Sequence, residues 1–325
     1  MNLFPSLRRT AAACLALVFL LPAPFSRAAE FNPAGSEYTS LPLIRGKQNQ
    51  LLLHLPVDGS KPYIVLDTGS PITCVDESKS QMFKLVSSST NGSSPMSVMV
   101  NGVRHRIAIA PKLDFGPVEV QNLPVVLIDL GSLNQMLKAR KDHSNDAILG
   151  LDTLHSLHAV IDCGAGRLLL RNTDARGTGQ LGAKLKQAGW TEISMRTDAG
   201  HLVVSGAVNR WSLDFILDTG SPVSVVDQAF VRAHKIALND QTFSLRAIHF
   251  ETGGAKVGKV NDLKIARLNL GRSLVAVFDV SSLLRGSDPV GLLGSRTLVR
   301  AHAFIDCENS KLYLKVPDAT PAWGF

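Results

Sequence analysis

Short apolar runs rich in Leu, Ile and Val alternate with Gly, Asn, Asp and Pro over most of this 325-residue chain. Runs of this length, bounded by turn-forming residues, are typical of β-strands. A helical pattern is confined to three brief segments, residues 133–140, 151–157 and 295–301. The sequence therefore predicts a mainly β protein with a few short helices.

The strand pattern occurs twice along the chain. Residues 50–70, QLLLHLPVDGSKPYIVLDTGS, align without a gap with residues 201–221, HLVVSGAVNRWSLDFILDTGS, which lie 151 positions further on. Residues 148–171 align with residues 292–315 at an offset of 144, and 11 of these 24 positions are identical. A repeat of this length indicates two copies of one domain.

The boundary between the two copies is predicted in residues 172–182. This stretch is polar and contains glycine, so it has the composition of a linker. We expect an N-terminal lobe at residues 30–176 and a C-terminal lobe at residues 177–325. The repeat covers nearly all of the chain beyond the first 29 residues.

Residues 1–29 have the pattern of a secretory signal peptide. Two arginines precede an apolar core of eleven residues, Ala11 to Leu21, and prolines and small residues follow it. Eleven residues suit a signal peptide and are too few to span a bilayer, which needs about 20. We expect cleavage after Ala28 or Ala29 and a periplasmic or secreted product, with an uncleaved anchor as the alternative.

Composition narrows the class of protein. With 45% hydrophobic and 19% charged residues, the chain can bury a core, so a disordered protein is excluded. The net charge of +7 includes three arginines of residues 1–29, and without them 31 basic residues face 27 acidic ones, or +4. This mild surplus, without a basic cluster and with 6% aromatics, argues against a nucleic-acid partner.

Three cysteines follow residues 1–29, namely Cys74, Cys163 and Cys307. An odd number leaves at least one of them unpaired within the chain. Cys163 and Cys307 hold matching repeat positions, so a disulfide between them is conceivable. Burial of all three as small apolar side chains is the favoured interpretation.

Each copy drives an apolar strand into the sequence Asp-Thr-Gly-Ser, at Asp67–Ser70 and at Asp218–Ser221. A carboxylate at the end of a buried strand is costly unless donors or a partner compensate it. Glycine lets backbone N–H groups approach the carboxylate, and Thr and Ser supply hydroxyl donors. The motif therefore predicts one oriented carboxylate in each copy.

Packing of the copies about a pseudo-twofold axis would bring Asp67 and Asp218 together. Two carboxylates in contact share one proton, as in the dyad of aspartic proteases. The ionised member can take a proton from water, while the protonated member polarises a carbonyl and later protonates the leaving amine. This pair predicts hydrolysis of peptide bonds with neither a metal nor a cofactor.

Both copies resemble the retropepsin-like aspartic protease domain. The resemblance rests on the strand with DTGS, a glycine-bearing hairpin, the Leu-Gly turn and the closing hairpins IDCGAGRLLL and IDCENSKLYL, and it covers residues 39–316. It implies a mainly β protein with two closed β-barrel lobes about a pseudo-twofold axis, fused in one chain as in pepsin-like enzymes. A monomer with paired lobes, acting on polypeptide substrate, is expected.

The resemblance also assigns roles to the motif residues. It implies that Asp67 and Asp218 are the catalytic dyad, supported by the rest of both loops. The implied support residues are Thr68 and Thr219, interlocked between the lobes, Gly69 and Gly220 at the turns, and Ser70 and Ser221, bonded to the outer carboxylate oxygens. Residues 148–150 and 292–294 would pack beneath these loops.

Two hairpins are candidate flaps over the cleft. They contain Asn101 and Gly102 in the first copy and Gly253 and Gly254 in the second. Glycines suit a mobile lid, and ordinary surface hairpins are the alternative.

In both copies a proline, Pro71 or Pro222, follows the serine of the DTGS motif. This is a departure from the family pattern and removes a backbone donor.

Other residues predict less. The segment 141–146 contains Asp and His but has no equivalent histidine in the second copy, which favours a solvated loop over a metal site. His158 and His302 hold matching positions and are interpreted as structural. Two alternatives to an active monomer stay open, a catalytically silent peptide-binding protein on the same fold and a swapped dimer.

Overall fold

The apolar runs of both copies form β-strands in a computed structural model that describes residues 37–57, 59–89, 96–100, 102–115, 118–172, 180–245, 255–280 and 289–316. All of them belong to one compact unit, Pro33–Phe325. The strands of the first copy are β1 (Tyr38–Arg45), β2 (Leu51–His54), β3 (Tyr63–Leu66), β4 (Cys74–Asp76), β5 (Val86–Ser87), β6 (Ser97–Val100), β7 (Val103–Asp114), β8 (Glu119–Ile128), β9 (Ala147–Leu149), β10 (Ala159–Asp162) and β11 (Arg167–Arg171).

The second copy repeats this arrangement. Its strands are β12 (Thr191–Ser194), β13 (Arg196–Asp198), β14 (His201–Val208), β15 (Trp211–Asp218), β16 (Ser224–Asp227), β17 (Asn239–Leu245), β18 (Ala255–Val260), β19 (Leu263–Ile265), β20 (Leu268–Asn269), β21 (Ser273–Phe278), β22 (Gly291–Gly294), β23 (Phe304–Asp306) and β24 (Lys311–Leu314). The predicted mainly β fold class is confirmed.

Equivalent strands have the same order in the two lobes. In the first lobe the order is β2-β3-β9-β4-β8-β7-β5, and in the second it is β14-β15-β22-β16-β21-β18-β17. In each lobe the strand that leads into Asp-Thr-Gly-Ser runs parallel to the strand of the Leu-Gly turn, β3 with β9 and β15 with β22. The motif and the Leu-Gly turn therefore end side by side in both lobes.

The lobes share a central antiparallel sheet, ordered β12-β24-β23-β10-β11-β1. At its middle, β10 pairs with β23, and Ile161 lies opposite Ile305, its own equivalent 144 residues away. A strand can lie opposite its own repeat in this way only about a twofold axis. The pairing therefore supports the predicted pseudo-twofold relation between the lobes.

Five short helices complete the described part of the chain. They are α1 (Gly131–Ala139), α2 (Leu151–Ser156), α3 (Gln180–Gln187), α4 (Gln228–Ala233) and α5 (Ser295–Arg300), with a 3-10 turn at Glu77–Lys79. The sequence predicted α1, α2 and α5 but missed α3 and α4. The Asp227 side chain caps α4 by accepting the N–H groups of Ala229 and Phe230, at 2.7 and 3.0 Å.

The linker prediction needs one correction, because α3 begins at Gln180, inside the stretch 172–182. Leu181 and Leu185 are four residues apart on one face of this helix and are buried, so the helix packs on the fold as part of the second lobe. The positions of the proposed lobe boundary, 176 and 177, lie outside the described residues.

All three cysteines, Cys74, Cys163 and Cys307, are buried and free, so the favoured interpretation is confirmed. Cys163 and Cys307 follow β10 and β23, and the backbone N–H of each donates to the opposite strand, at Ala303 and Ala159. Burial raises the pKa of the Cys74 thiol to about 12. In the part of the chain that the structure describes, no helix is long and apolar enough to cross a membrane.

Candidate active site

Two threonines at the lobe interface join the motif loops. The hydroxyl of Thr68 donates to the Leu217 carbonyl at 2.9 Å, and the hydroxyl of Thr219 donates to the Leu66 carbonyl at 2.7 Å. Each hydroxyl also accepts the backbone N–H of the other threonine, at 3.0 and 3.2 Å. Four reciprocal hydrogen bonds, between side chains with no exposed surface, thus fix the two loops to each other.

This interlock brings Asp67 and Asp218 into contact. A Cβ added to Gly220 would lie 2.4 Å from Cγ of Asp67, and one added to Gly69 would lie 2.6 Å from Cγ of Asp218. Real Cβ atoms do not approach other atoms this closely. Glycine is therefore required in both loops, because each glycine backbone packs against the carboxylate of the opposite lobe.

The two carboxyl groups hydrogen-bond each other, and they differ in their backbone donors. Oδ1 of Asp67 accepts the N–H groups of Gly69 and Ser70 at 2.9 and 3.1 Å, whereas Oδ1 of Asp218 accepts that of Ser221 at 2.8 Å. Burial raises the pKa of the Asp67 carboxyl and raises the pKa of the Asp218 carboxyl well above its usual range. At Asp218 the negative charge of Asp67 raises the pKa further. The pair therefore retains a proton, which the two carboxyls share.

The serine side chains differ from the expectation given by the resemblance. The hydroxyl of Ser70 donates to the Ile72 carbonyl at 2.7 Å, and that of Ser221 donates to the Val223 carbonyl at 2.8 Å. The donors to the carboxylates are instead backbone N–H groups of the loops. A serine hydroxyl has a single proton, and here the carbonyl two residues along the chain takes it.

The prolines at 71 and 222 are compatible with this arrangement. Every backbone N–H that donates to a motif carboxylate comes before the proline, so the missing proline N–H removes no such bond. The carbonyls of Pro71 and Pro222 accept N–H groups from the first turns of α2 and α5, each at 3.3 Å. The sequence departure therefore leaves the geometry of the carboxylates intact.

The Leu-Gly turns support the loops as the sequence predicted. Leu149 accepts the N–H of Asp67 on its carbonyl at 3.0 Å. A Cβ on Gly150 or Gly294 would lie 2.4 Å from the carbonyl groups of Ile72 or Val223, so only glycine fits beneath each loop. The carbonyls of Ser70 and Ser221 accept the N–H groups of the residues that follow these glycines, at 2.8 and 2.9 Å.

The candidate flaps are only partly described. Gly102 lies in the turn between β6 and β7, with a φ of 82°, and Val100 pairs with Val103 across it, so this hairpin exists. In the second lobe β17 pairs with β18, and Leu245 lies opposite Ala255. Asn101, Gly253 and Gly254 lie outside the described residues, and the role of either hairpin as a lid stays a prediction.

Sequence reasoning missed a histidine beside the dyad. His201 begins β14, and its imidazole faces the backbone of Gly69. Burial lowers the pKa of this imidazole, and the negative charge of Asp67 opposes that shift. Its Nδ1 is buried and has no hydrogen-bond partner among the described residues. The available signal was its place as the first residue of the gapless repeat, opposite Gln50, which is also buried.

The other histidines singled out from the sequence lie elsewhere. His158 and His302 both adopt positive φ, 48° and 45°, just before β10 and β23 in the central sheet, and His158 pairs with Glu308 at 2.9 Å. His143 stacks on Tyr63 with ring centroids 4.4 Å apart. These contacts are structural, and none of the three belongs to the dyad.

Comparison with known proteins adds similarity without assigning an activity. No family model matches the chain, and no curated protein matches it. Basic 7S globulin from soybean is similar in structure, with a TM-score of 0.48 and 12% identity, covering 86% of this chain and 95% of the globulin. An aspartic proteinase from Irpex lacteus is similar with a TM-score of 0.47 and 13% identity, covering 88% of this chain and 99% of that one.

A retropepsin-like aspartic protease from Rickettsia conorii is similar over part of the chain. The TM-score is 0.29 at 20% identity, and the match covers 40% of this chain and 94% of the protease. At these identities and TM-scores, the chemistry of the site has to be judged from its own residues.

Proposed function

We propose that this protein is an exported single-chain aspartic endopeptidase whose dyad is Asp67 and Asp218. The observation that carries the proposal is the contact between these two carboxyls, one from each lobe, held by the threonine interlock. Paired carboxyls that share a proton provide an acid and a base within one site.

The asymmetry of the pair divides the two roles. Asp67 has two backbone N–H donors on one oxygen, at 2.9 and 3.1 Å, which favour its ionised form, so it acts as the base toward a water held between the carboxyls. Asp218 retains the proton and donates a hydrogen bond to the oxygen of the scissile carbonyl. Water attacks the carbonyl carbon as its proton passes to Asp67, and the Asp218 proton moves to the carbonyl oxygen.

The resulting diol collapses when a proton from the pair reaches the leaving amine. The C–N bond breaks as one diol hydroxyl passes its proton to Asp218, so the pair returns to its singly protonated state with a carboxylic acid and an amine as products. Every proton that enters from water leaves with a product, so the cycle needs neither a metal nor a cofactor.

Cleavage of an unfolded protein at acidic and neutral pH tests this function. We expect the full chain to cleave, an aspartic-protease inhibitor to block it, and Asp67→Asn or Asp218→Asn to lower the rate by at least 100-fold, the low end of acid–base catalysis. Asp114→Asn, at an exposed aspartate, is the matched control and keeps the wild-type rate.

Cleavage that survives either dyad substitution would contradict the proposed mechanism. Binding of peptides without cleavage under any condition would instead support the catalytically silent peptide-binding protein. The mass of the active species in solution separates the proposed monomer from a swapped dimer. A monomer stays active on dilution, whereas a swapped dimer loses its activity when it dissociates into single chains.

Export is the part of the proposal that rests on the sequence of residues 1–29 alone. We expect the mature chain in the periplasm or the medium, beginning near residue 29 or 30. N-terminal sequencing of the protein recovered from each fraction tests this, and an intact N-terminus in a membrane fraction would support the anchor instead.

A further inference from the structure

Ser295 attaches the motif loop of the second lobe at two points. It is the first residue of α5 and has no exposed surface. Its backbone N–H donates to the Ser221 carbonyl at 2.9 Å, and its hydroxyl donates to the Thr219 carbonyl at 2.5 Å. These two acceptors lie on either side of Gly220 in the sequence, so Ser295 holds the backbone around this glycine.

The first lobe has only one of these two attachments. Leu151 holds the position that matches Ser295, 144 residues earlier, and its N–H donates to the Ser70 carbonyl at 2.8 Å. A leucine side chain has no hydroxyl, so it cannot donate to the carbonyl of Thr68. The hydrogen bond from the Ser295 hydroxyl is therefore an asymmetric feature of a site whose loops are otherwise built twice.

The bond from Ser295 ends on a peptide group that faces the dyad. The Thr219 carbonyl and the Gly220 N–H belong to one planar peptide group, so a donor that fixes the carbonyl also fixes the direction of the N–H. A Cβ on Gly220 would lie 2.4 Å from both Cγ and Oδ2 of Asp67, so this backbone is in close contact with the carboxylate. The peptide group thus connects the Ser295 hydroxyl to Asp67.

The N–H of Gly220 acts on both carboxyls of the pair. Burial raises the pKa of Asp67 and of Asp218, and the hydrogen bond from the Gly220 backbone opposes this rise at each of them. Hydrogen bonds in a chain polarise one another, so a donor at the carbonyl end of a peptide group strengthens the bond from its N–H end. The Ser295 hydroxyl therefore favours the ionised form of the carboxyl that accepts from Gly220.

We propose that Ser295 is a positioning residue of the dyad, whose hydroxyl holds and polarises the Thr219–Gly220 peptide group so that its N–H stabilises the ionised carboxylate. The inference rests on the proposed function and adds to it a buried hydroxyl that acts on the dyad through the backbone. Because the matching leucine has no hydroxyl, this support comes from the second lobe alone.

Titration of the Asp67 carboxyl tests the inference without turnover. In a full chain with Asp218→Asn and isotope-labelled aspartate, the NMR signal of Asp67 is the one that Asp67→Asn removes. We expect Ser295→Ala to raise the pKa of Asp67 by about 0.5, since polarisation along a chain changes a charge-assisted hydrogen bond by roughly 10–30%. Among the described titratable groups, His201 on β14 and Cys74 on β4 also interact with Asp67, and both stay unchanged in these variants.

Ser156→Ala is the matched control. The Ser156 hydroxyl also donates to a backbone carbonyl, that of Thr153 at 2.9 Å, but it lies at the end of α2 away from the motif loop. We expect this substitution to leave the pKa of Asp67 unchanged. Ser295→Cys keeps a weak donor at the same position and should give a smaller rise than Ser295→Ala, and it decides the question if Ser295→Ala does not fold.

The pH dependence of cleavage gives a second readout. A rise of about 0.5 in the pKa of Asp67 moves the acid limb of the kcat/KM profile by the same amount, so Ser295→Ala should be about threefold slower on that limb. Near the optimum its rate should stay close to that of the wild type. A merely structural role would instead lower the rate equally at every pH.

The two readouts separate failure of this inference from failure of the proposed function. A raised pKa of Asp67 in Ser295→Ala, absent in Ser156→Ala, supports the role of Ser295 even when the wild-type chain cleaves nothing. A shift below about 0.1, or an equal shift in both variants, overturns the inference while the dyad can still be active. A uniform loss of rate at every pH, with the titration of Asp67 unchanged, overturns it as well.

Discussion

Removal of one interlocking hydroxyl tests whether the threonines hold the two lobes together. Thr219→Val keeps the shape of the side chain but removes two hydrogen bonds, the one donated to Leu66 and the one accepted from the N–H of Thr68. Both of these backbone groups then lack that partner in a site without solvent. Each unsatisfied buried group costs about 1–3 kcal/mol, so we expect a loss of about 2–6 kcal/mol in the free energy of unfolding.

Urea unfolding of the full chain measures this loss, with Thr197→Val as the control. Thr197 is exposed, so its replacement should change the free energy by less than about 0.5 kcal/mol. Thr68→Val should cost as much as Thr219→Val, because the four bonds are divided evenly between the two hydroxyls. A Thr219→Val protein as stable as the control would refute the claim that these hydrogen bonds join the lobes.

Three further predictions concern the site and the buried thiols. Gly220→Ala should reduce cleavage at least as much as Asp67→Asn does, because its Cβ would meet the Asp67 carboxyl at 2.4 Å; a normal kcat/KM would contradict the packing. Asp218→Asn should stabilise the protein at pH 7 against urea but not below about pH 4. Burial raises the pKa of Asp218 in the folded protein, so the wild type loses stability as the pH rises from the unfolded pKa through the folded pKa. If Asp218→Asn raised the free energy of unfolding equally at both pH values, the carboxyl would not be desolvated in the folded protein. Cys74, Cys163 and Cys307 should be alkylated only after denaturation, as mapped by peptide mass; rapid labelling of the native protein would contradict their burial.

Much of the fold could be predicted because the chain states it twice. The repeated DTGS strands and Leu-Gly turns identified the two lobes, and a dyad built from both of them followed from the retained aspartates. Short-range patterns also predicted three helices. A Leu-Gly pair precedes α2 and α5, and α1 is an amphipathic run.

Other features depend on contacts that no local pattern contains. The helix α3 is specified by the burial of Leu181 and Leu185 against the fold, and a polar composition concealed it. The position of His201 beside Gly69 arises where a turn of one lobe meets the other lobe. The predicted partners of the Ser70 and Ser221 hydroxyls were wrong. Whether such a hydroxyl donates to a carboxylate or to a nearby carbonyl depends on the loop conformation, which the sequence pattern does not contain.

The pH dependence of kcat/KM for the wild-type chain tests the shared proton of Asp67 and Asp218 most directly. Activity requires the singly ionised pair, so the account predicts a bell-shaped profile with two apparent pKa values that belong to the pair. Its alkaline limb should lie above the ordinary range of an aspartate, because burial raises the pKa of both carboxyls. A rate that rises steadily from acidic pH through pH 9 would contradict the account, since a doubly ionised dyad has no acid to donate.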